Sequence, residues 1–161
     1  MKDNNDLKIS FDFCGIGPLE SRLRELEKEF PKNIKYHGYI DYNMISSYYK
    51  RNDVFLFCSR REPFGRVLIE ALAAKLVIIC SKTFGSIEVV KGKKFAFFIP
   101  ELNAEAIKDK ILEVYNLWVT NPEKLKELQN LAKEYVFQNY SFSIELEMFK
   151  DLILKINKSI L

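Results

Sequence analysis

The sequence is short of the residues from which many well-known active sites are built. Its single histidine, His37, leaves no Ser-His-Asp set and no cluster of metal ligands. A lone histidine in a short strand reads first as a structural residue. The three cysteines, Cys14, Cys58 and Cys80, are far apart and form no CxxC pair. An odd count without metal spacing points to free thiols in a reducing compartment. There is no Walker loop, and Gly15-x-Gly17 lacks the third glycine of the dinucleotide fingerprint. No apolar run approaches the roughly 20 residues that a membrane helix needs. The polar start, MKDNNDLK, has no signal-peptide character. The expectation is a cytoplasmic protein, with peripheral attachment to a membrane left open.

Charge of one sign is also missing. Twenty-five basic residues stand against 22 acidic ones, for a net charge of +3. That balance gives no basic face of the kind nucleic acid requires, so no nucleic-acid partner is expected. Arg60–Arg61 and Lys91, Lys93 and Lys94 read as solvated loops. No repeat, low-complexity segment or internal linker divides the chain, so 1–161 is expected to form a single domain. Its hydrophobic fraction of 48% and aromatic fraction of 14% suffice for a packed core.

Apolar periodicity gives the elements. Leu7, Ile9, Phe11 and Phe13 alternate with Lys8, Ser10 and Asp12, which predicts a strand over 7–14 with one polar face. Gly15 to Pro18 turns the chain into a helix to about Glu29, stopped by Pro31. A short strand follows over 34–39, then a helix capped by Asp41, with Met44, Ile45 and Tyr48 pointing inward. Residues 54–58 and 76–80 are continuously apolar, as in strands covered on both faces. Between them lies a very apolar helix from about Gly65 to Lys75. A helical turn opening at Gly85 or Ser86 and a strand over 95–99 come next. Asn103 caps a helix with Ala106, Ile107, Leu112, Tyr115 and Trp118 at core spacing. Asn121-Pro122-Glu123 starts another, combining a cap, a first-turn proline and an acid at the positive end of the dipole. Ser141 begins a terminal helix over 141–161 with Ile144, Met148, Leu152 and Ile156 on one face. Strands alternating with helices predict an α/β fold, a Rossmann-like parallel sheet flanked by helices. Ligands bind such sheets at the carboxyl ends of the strands, here the loops 14–18, 38–42, 58–65 and 81–88.

Two of those loops frame a pair of carboxylates. Glu70 sits among Val67, Leu68, Ile69, Ala71 and Leu72. A carboxylate in such surroundings needs partners. An ion pair with Arg66 one turn earlier and acceptance of a ligand diol are both open. Glu62 precedes Pro63-Phe64-Gly65, the turn into the helix. Gly65 lets a ligand approach the backbone, and the helix N-terminus offers free N–H groups to a phosphate. Gly85 and Glu88 make a second loop, where Gly85 alone reads as a turn residue.

The chain resembles the carboxyl-terminal, nucleotide-sugar-binding half of GT-B glycosyltransferases of family 4, the group 1 transferases. The matching stretches run in order: Phe13-Cys14-Gly15-Ile16-Gly17-Pro18, Tyr36-His37-Gly38-Tyr39-Ile40 and Asp53-Val54-Phe55-Leu56-Phe57-Cys58-Ser59. Then come Glu62-Pro63-Phe64-Gly65-Arg66-Val67-Leu68-Ile69-Glu70-Ala71, Gly85-Ser86-Ile87-Glu88-Val89-Val90, and Phe142. Glu62 and Glu70 match the family's paired glutamates. The resemblance implies a donor-binding portion of a retaining glycosyltransferase, which transfers a sugar from a nucleotide-diphosphate sugar to an acceptor glycan or lipid. Glu62 would face the donor sugar as the catalytic carboxylate. The amides around Phe64, Gly65 and Arg66 would hold sugar or diphosphate, and Glu70 would accept from the ribose hydroxyls. Tyr39 and Ile40 would meet the base, with Gly15 and Gly85 in the donor loops. No cofactor and no metal are implied.

Departures from the family pattern set further expectations. Lys75 stands where a glycine is usual and is expected to turn the chain differently. Phe84 replaces a glycine and is expected to narrow the phosphate loop. The acceptor domain is not matched by any stretch, nor are the first strand and helix of the donor domain, so the match reads as one half of a GT-B fold truncated at its N-terminus. On this reading the chain alone is inactive without an acceptor-domain polypeptide. Strands 7–14 and 54–58 would then pair directly, admit another chain, or leave an edge through which the protein self-associates into a homo-oligomer. The rival reading is non-catalytic: a degenerate nucleotide-binding or protein-interaction domain.

Overall fold

A computed structural model describes residues 7–144, 146, 147, 150, 151 and 153. The chain divides into two compact units, one up to Ile45 and one from Ser46 onward.

In the first unit, β1 (Phe11–Cys14) pairs in parallel with β2 (Ile34–Gly38), with α1 (Glu20–Glu29) between them. The apolar alternation extends back to Leu7, but only the last four residues of the expected strand form a ladder. Helix α1 opens two residues beyond Pro18 and ends where the Phe30 amide bonds the Leu26 carbonyl, just before Pro31. It packs on β2, where the Glu27 carboxylate accepts from the Tyr36 amide at 3.2 Å and Arg24 lies over the Tyr36 ring. Across the pair, His37 Nε2 and Asp12 Oδ1 meet at 2.5 Å, a structural contact for the lone histidine.

Helix α2 (Tyr42–Lys50) leads from the first unit into the second, capped by Asp41, whose carboxylate accepts from the Asn43 amide at 2.9 Å. Met44, expected to face inward, is exposed; Ile45, Tyr48 and Tyr49 are the half-buried positions.

The second unit holds a parallel sheet in the order β3 (Val54–Phe57), β4 (Val77–Ser81), β5 (Ala96–Ile99). Among the described residues β1 pairs with β2 in the first unit, and β3 pairs with β4 in the second. Helices α3 (Arg66–Ala73), α4 (Phe84–Val90), α5 (Ala104–Thr120) and α6 (Pro122–Tyr140) complete the unit. The middle strand β4 is buried at every residue, which explains its unbroken apolar sequence. The other apolar strand, β3, stands at one end of this sheet among the described residues and is only half-buried. Leu68, Ala71 and Leu72 of α3 are fully buried against β4 and α6, and Leu125, Leu128, Ala132 and Val136 of α6 join the same core. Each buried leucine contributes about 2 kcal/mol of hydrophobic stabilisation.

The helix ends follow their sequence signals. Asn103 Oδ1 accepts from the Ala106 amide and Asn121 Oδ1 from the Lys124 amide. Trp118, placed in the core by periodicity, is exposed at the end of α5, where Val114 is the buried residue. Lys75 corrects another expectation. Its φ of +68° is the left-handed conformation that glycine favours, so it makes the turn after α3 in the glycine-like way. Residues 142–144 are helical, as are the described residues beyond them. Met148, Leu152 and Ile156 of the expected terminal face lie outside the described residues.

Candidate functional site

In the second unit the loops after β3 and β4 are bonded to each other. At the end of β4, Ser81 donates its hydroxyl to the Ser59 carbonyl at 2.5 Å, and Ser59 donates its own to the Arg61 carbonyl at 2.9 Å. This folds the 58–65 loop back over the strand ends. The Glu62 carboxylate then caps the start of α3: its Oε1 accepts from the amides of Gly65 at 2.9 Å and Phe64 at 3.3 Å. A carboxylate at this position also meets the positive end of the helix dipole. Among the described residues, Oε2 of Glu62 has no hydrogen bond. The amides of Arg66 and Val67, first in the helix, also lack a backbone acceptor among them, as two of the four donors a helix leaves open.

The two glycines of the site serve different needs. Gly65 is held at φ +82°, a conformation a side chain disfavours, and a Cβ there would stand 3.0 Å from Leu68 Cδ1. Gly85 has no positive φ, so it is not a turn residue as its sequence context suggested. It is required for close approach: its amide donates to the Glu62 carbonyl at 2.8 Å, and a Cβ would fall 2.6 Å from the Phe64 backbone. Helix α4 opens one residue earlier than expected, capped by Thr83. Thr83 Oγ1 accepts from the Ser86 amide at 3.1 Å, and Ser86 Oγ accepts from the Thr83 amide at 2.9 Å. Fully buried Ser86 also donates to the Ser81 carbonyl at 2.7 Å.

Glu70 is half-buried one turn into α3. Tyr49 of α2 donates its hydroxyl to Glu70 Oε2 at 3.2 Å. Arg66 is exposed and, among the described residues, forms no ion pair with Glu70. Tyr140, at the end of α6, sets its ring edge-on to Phe64 with centroids 6.5 Å apart, and its hydroxyl reaches the Val89 carbonyl at 3.3 Å. Tyr135 donates to the same carbonyl at 2.9 Å, and burial pushes its phenol above the usual range. Beneath the site, burial pushes the Cys80 thiol up to about 12, so it is no nucleophile.

In the first unit, the Gly15 amide donates to the Gly38 carbonyl at 2.6 Å, and the Tyr36 hydroxyl donates to the Gly15 carbonyl at 2.9 Å. The ends of β1 and β2 are thereby tied together, with Tyr39 exposed and Ile40 half-buried just beyond. Glu62, Phe64, Gly65, Arg66, Glu70 and Gly85 are assembled within the second unit; Gly15, Tyr39 and Ile40 lie within the first. Among the described residues no group of three or more His, Cys, Asp or Glu is placed to hold a metal ion. No helix among them is long and apolar enough to cross a membrane.

The family profile described as "Glycosyl transferases group 1" matches residues 1–135. The chain belongs to the group 1 glycosyltransferases. It is 34% identical to the alpha-monoglucosyldiacylglycerol synthase of Acholeplasma laidlawii, over 93% of this chain and 37% of that protein. To the glycogen synthase of Thermodesulfovibrio yellowstonii it is 28% identical, over 90% of this chain and 30% of that one. The chain thus spans about a third of the length of these curated relatives. Among solved structures, the sucrose-phosphate synthase of Thermosynechococcus elongatus superposes with a TM-score of 0.72 at 23% identity, over 92% of this chain and 38% of that one. The Anabaena protein HepE, solved with UDP and glucose, gives 0.69 at 18% identity, over 89% and 40%. At these identities the likeness is one of fold, and it joins the α/β half that the paired-glutamate resemblance implied to known glycosyltransferase folds.

Sequence reasoning missed Tyr49, Tyr140 and the Thr83–Ser86 pair. Tyr49 and Tyr140 are distant from the paired glutamates in sequence, and only tertiary packing brings them close. Thr83-x-x-Ser86 has capping-box spacing, a signal that was legible.

Proposed function

We propose that this group 1 glycosyltransferase chain supplies the donor-binding part of a retaining enzyme, which transfers a sugar from a nucleoside-diphosphate sugar to an acceptor glycan or lipid. The observation that carries the reading is the Glu62 carboxylate. One oxygen accepts from the Phe64 and Gly65 amides, and among the described residues the other has no hydrogen bond, as the first helical amides, those of Arg66 and Val67, have none.

The chemistry follows from that arrangement. The diphosphate lies at the α3 N-terminus, taking the Arg66 and Val67 amides and the positive end of the dipole. Phe64 and Gly65 contribute their backbone to the cradle by holding Glu62 rather than the ligand. The open oxygen of Glu62 accepts from a hydroxyl of the donor sugar and offsets positive charge as the anomeric carbon parts from the diphosphate oxygen. A carboxylate pinned beforehand needs little reorganisation to do so. Glu70, oriented by Tyr49, accepts from the ribose hydroxyls. Gly85 holds the second loop against the first. For Gly15, Tyr39 and Ile40 the reading keeps the roles the resemblance implies: a donor loop and the base contact. No metal is assigned to the diphosphate, and the acceptor is bound by another polypeptide portion.

Calorimetric titration with UDP-, GDP- and ADP-glucose tests the reading. One of them should bind saturably, and Glu70→Ala should weaken binding at least tenfold, the loss of a hydrogen-bonded charge being worth about 1.5–3 kcal/mol. No binding of any nucleotide by the folded protein would refute it.

A further inference from the structure

Phe84 is the first residue of α4, and its side chain is 80% exposed, the most exposed large apolar side chain described. A single exposed phenylalanine is ordinary on a protein surface. This one is unusual because its backbone is pinned on both sides. The Thr83–Ser86 capping box fixes the residue before it and turns the fully buried Ser86 inward. The close approach of Gly85 to the Phe64 backbone fixes the residue after it. The ring therefore leaves a rigid backbone into solvent and gives nothing to the core.

We propose that Phe84 is a stacking platform for a pyranose ring, and so a residue that determines which sugar this site accepts; the proposal rests on the donor-site reading above. Its position in the site favours a sugar over a base or ribose. The next residue, Gly85, donates its amide to the Glu62 main-chain carbonyl at 2.8 Å, so the backbone at Phe84 adjoins the loop that carries the carboxylate assigned to the sugar. Glu70, assigned to the ribose, lies four residues along α3 from Arg66, about 6 Å down the helix axis. The C–H groups on one face of a pyranose carry partial positive charge and complement the negative face of an aromatic ring. Stacking also removes from water an apolar surface that the described residues leave 80% exposed. A ring of this kind discriminates by the orientation of the sugar's hydroxyls, since an axial group on the stacked face keeps the two planes apart. The pyranose is either the donor's own sugar or one on the acceptor, and both offer the same face.

The test compares the intact chain with Phe84→Ala and Phe84→Leu. Calorimetry follows UDP, GDP, ADP and their glucose conjugates, and saturation-transfer NMR follows methyl α-glucoside. With the donor sugar stacked, Phe84→Ala weakens the glucose conjugate roughly tenfold, while the matching nucleoside diphosphate binds unchanged. With the acceptor sugar stacked, the conjugate is unaffected and the glucoside signal falls instead. Phe84→Leu loses the effect in either case, although it keeps an apolar side chain. Both variants should melt as the unaltered chain does, because the ring is outside the core. Equal losses for the diphosphate and its conjugate would overturn the proposal by making Phe84 a support for the loop. So would Phe84→Ala binding every probe as the unaltered chain does, or an unaltered chain that binds neither conjugate nor glucoside. Failure of the donor-site reading is separately visible as an unaltered chain that binds no nucleotide at all.

Discussion

A Cβ on Gly85 would stand 2.6 Å from the backbone nitrogen and carbonyl carbon of Phe64, nearer than real Cβ atoms come. The two loops of the site are therefore in backbone contact, joined by the Gly85 amide and the Glu62 carbonyl at 2.8 Å. Gly85→Ala must push them apart, at a cost of about 2–3 kcal/mol from overpacking. Denaturant unfolding should show a lowered midpoint and an unfolding free energy reduced by that amount. Gly17→Ala, where a Cβ meets nothing within 4 Å, should leave it unchanged.

Tyr49 and Glu70 separate stability from binding. Tyr49→Phe removes the 3.2 Å bond to Glu70 and should reduce stability by about 1 kcal/mol. Nucleotide affinity should fall only a fewfold, because the carboxylate remains. Glu70→Ala loses the same bond, with a comparable change in unfolding, and adds a large loss of nucleotide binding. Unchanged affinity in Glu70→Ala would mean that the pair is a packing contact alone.

Lys75 holds φ +68° without being a glycine. The left-handed conformation costs a side-chain-bearing residue about 1–2 kcal/mol. Lys75→Gly relieves it, against the greater freedom glycine has when unfolded and the exposed bond from Lys75 Nζ to Asn130 at 2.9 Å. The expected outcome is a gain of up to about 1 kcal/mol, and Lys75→Val should lose stability. Thermal melts of the two variants check the sign directly.

Burial raises the Cys80 thiol from 9.0 to about 12, the Ser86 hydrogen bond opposing the shift. The unfolded thiol loses its proton above pH 9 while the folded one keeps it, so the unfolded state binds fewer protons in that interval. Stability from this group is complete below pH 9 and declines as pH rises from 9 towards 12, by at most about 1.4 kcal/mol per pH unit. Tyr135, also raised by burial, acts with the same sign. Cys80→Ala should make the alkaline decline shallower, as read from unfolding midpoints between pH 8 and 10.5. A thiol reagent at pH 8 should label exposed Cys14 and leave Cys80 untouched until the protein unfolds.

The order and type of elements were legible because each has a local cause. Unbroken apolar runs mark the strands, Asn103 and Asn121 mark helix starts, and Pro31 marks a stop. What depends on distant packing was not legible. Trp118 and Met44 fit the helical period, yet both are exposed. The site shows the same division. Glu62 and Glu70 stand out in the sequence by their setting around Pro63-Phe64-Gly65. Tyr49 reaches Glu70 from another helix, and the backbone contact that makes Gly85 necessary spans the gap between two loops. A left-handed lysine gives no sequence signal, since Lys75 has neither the flexibility of glycine nor the local hydrogen bonding of asparagine.

The central claim is that the turn from Glu62 to Glu70 receives the diphosphate and ribose of a nucleotide sugar. An amide-resolved NMR titration of the intact chain with UDP-, GDP- and ADP-glucose tests it most directly. The account predicts that one of these moves the amides of Phe64, Gly65, Arg66, Val67 and Gly85 together, saturating at a single dissociation constant. Nucleotide binding that left those amides in place and shifted a different set would contradict it.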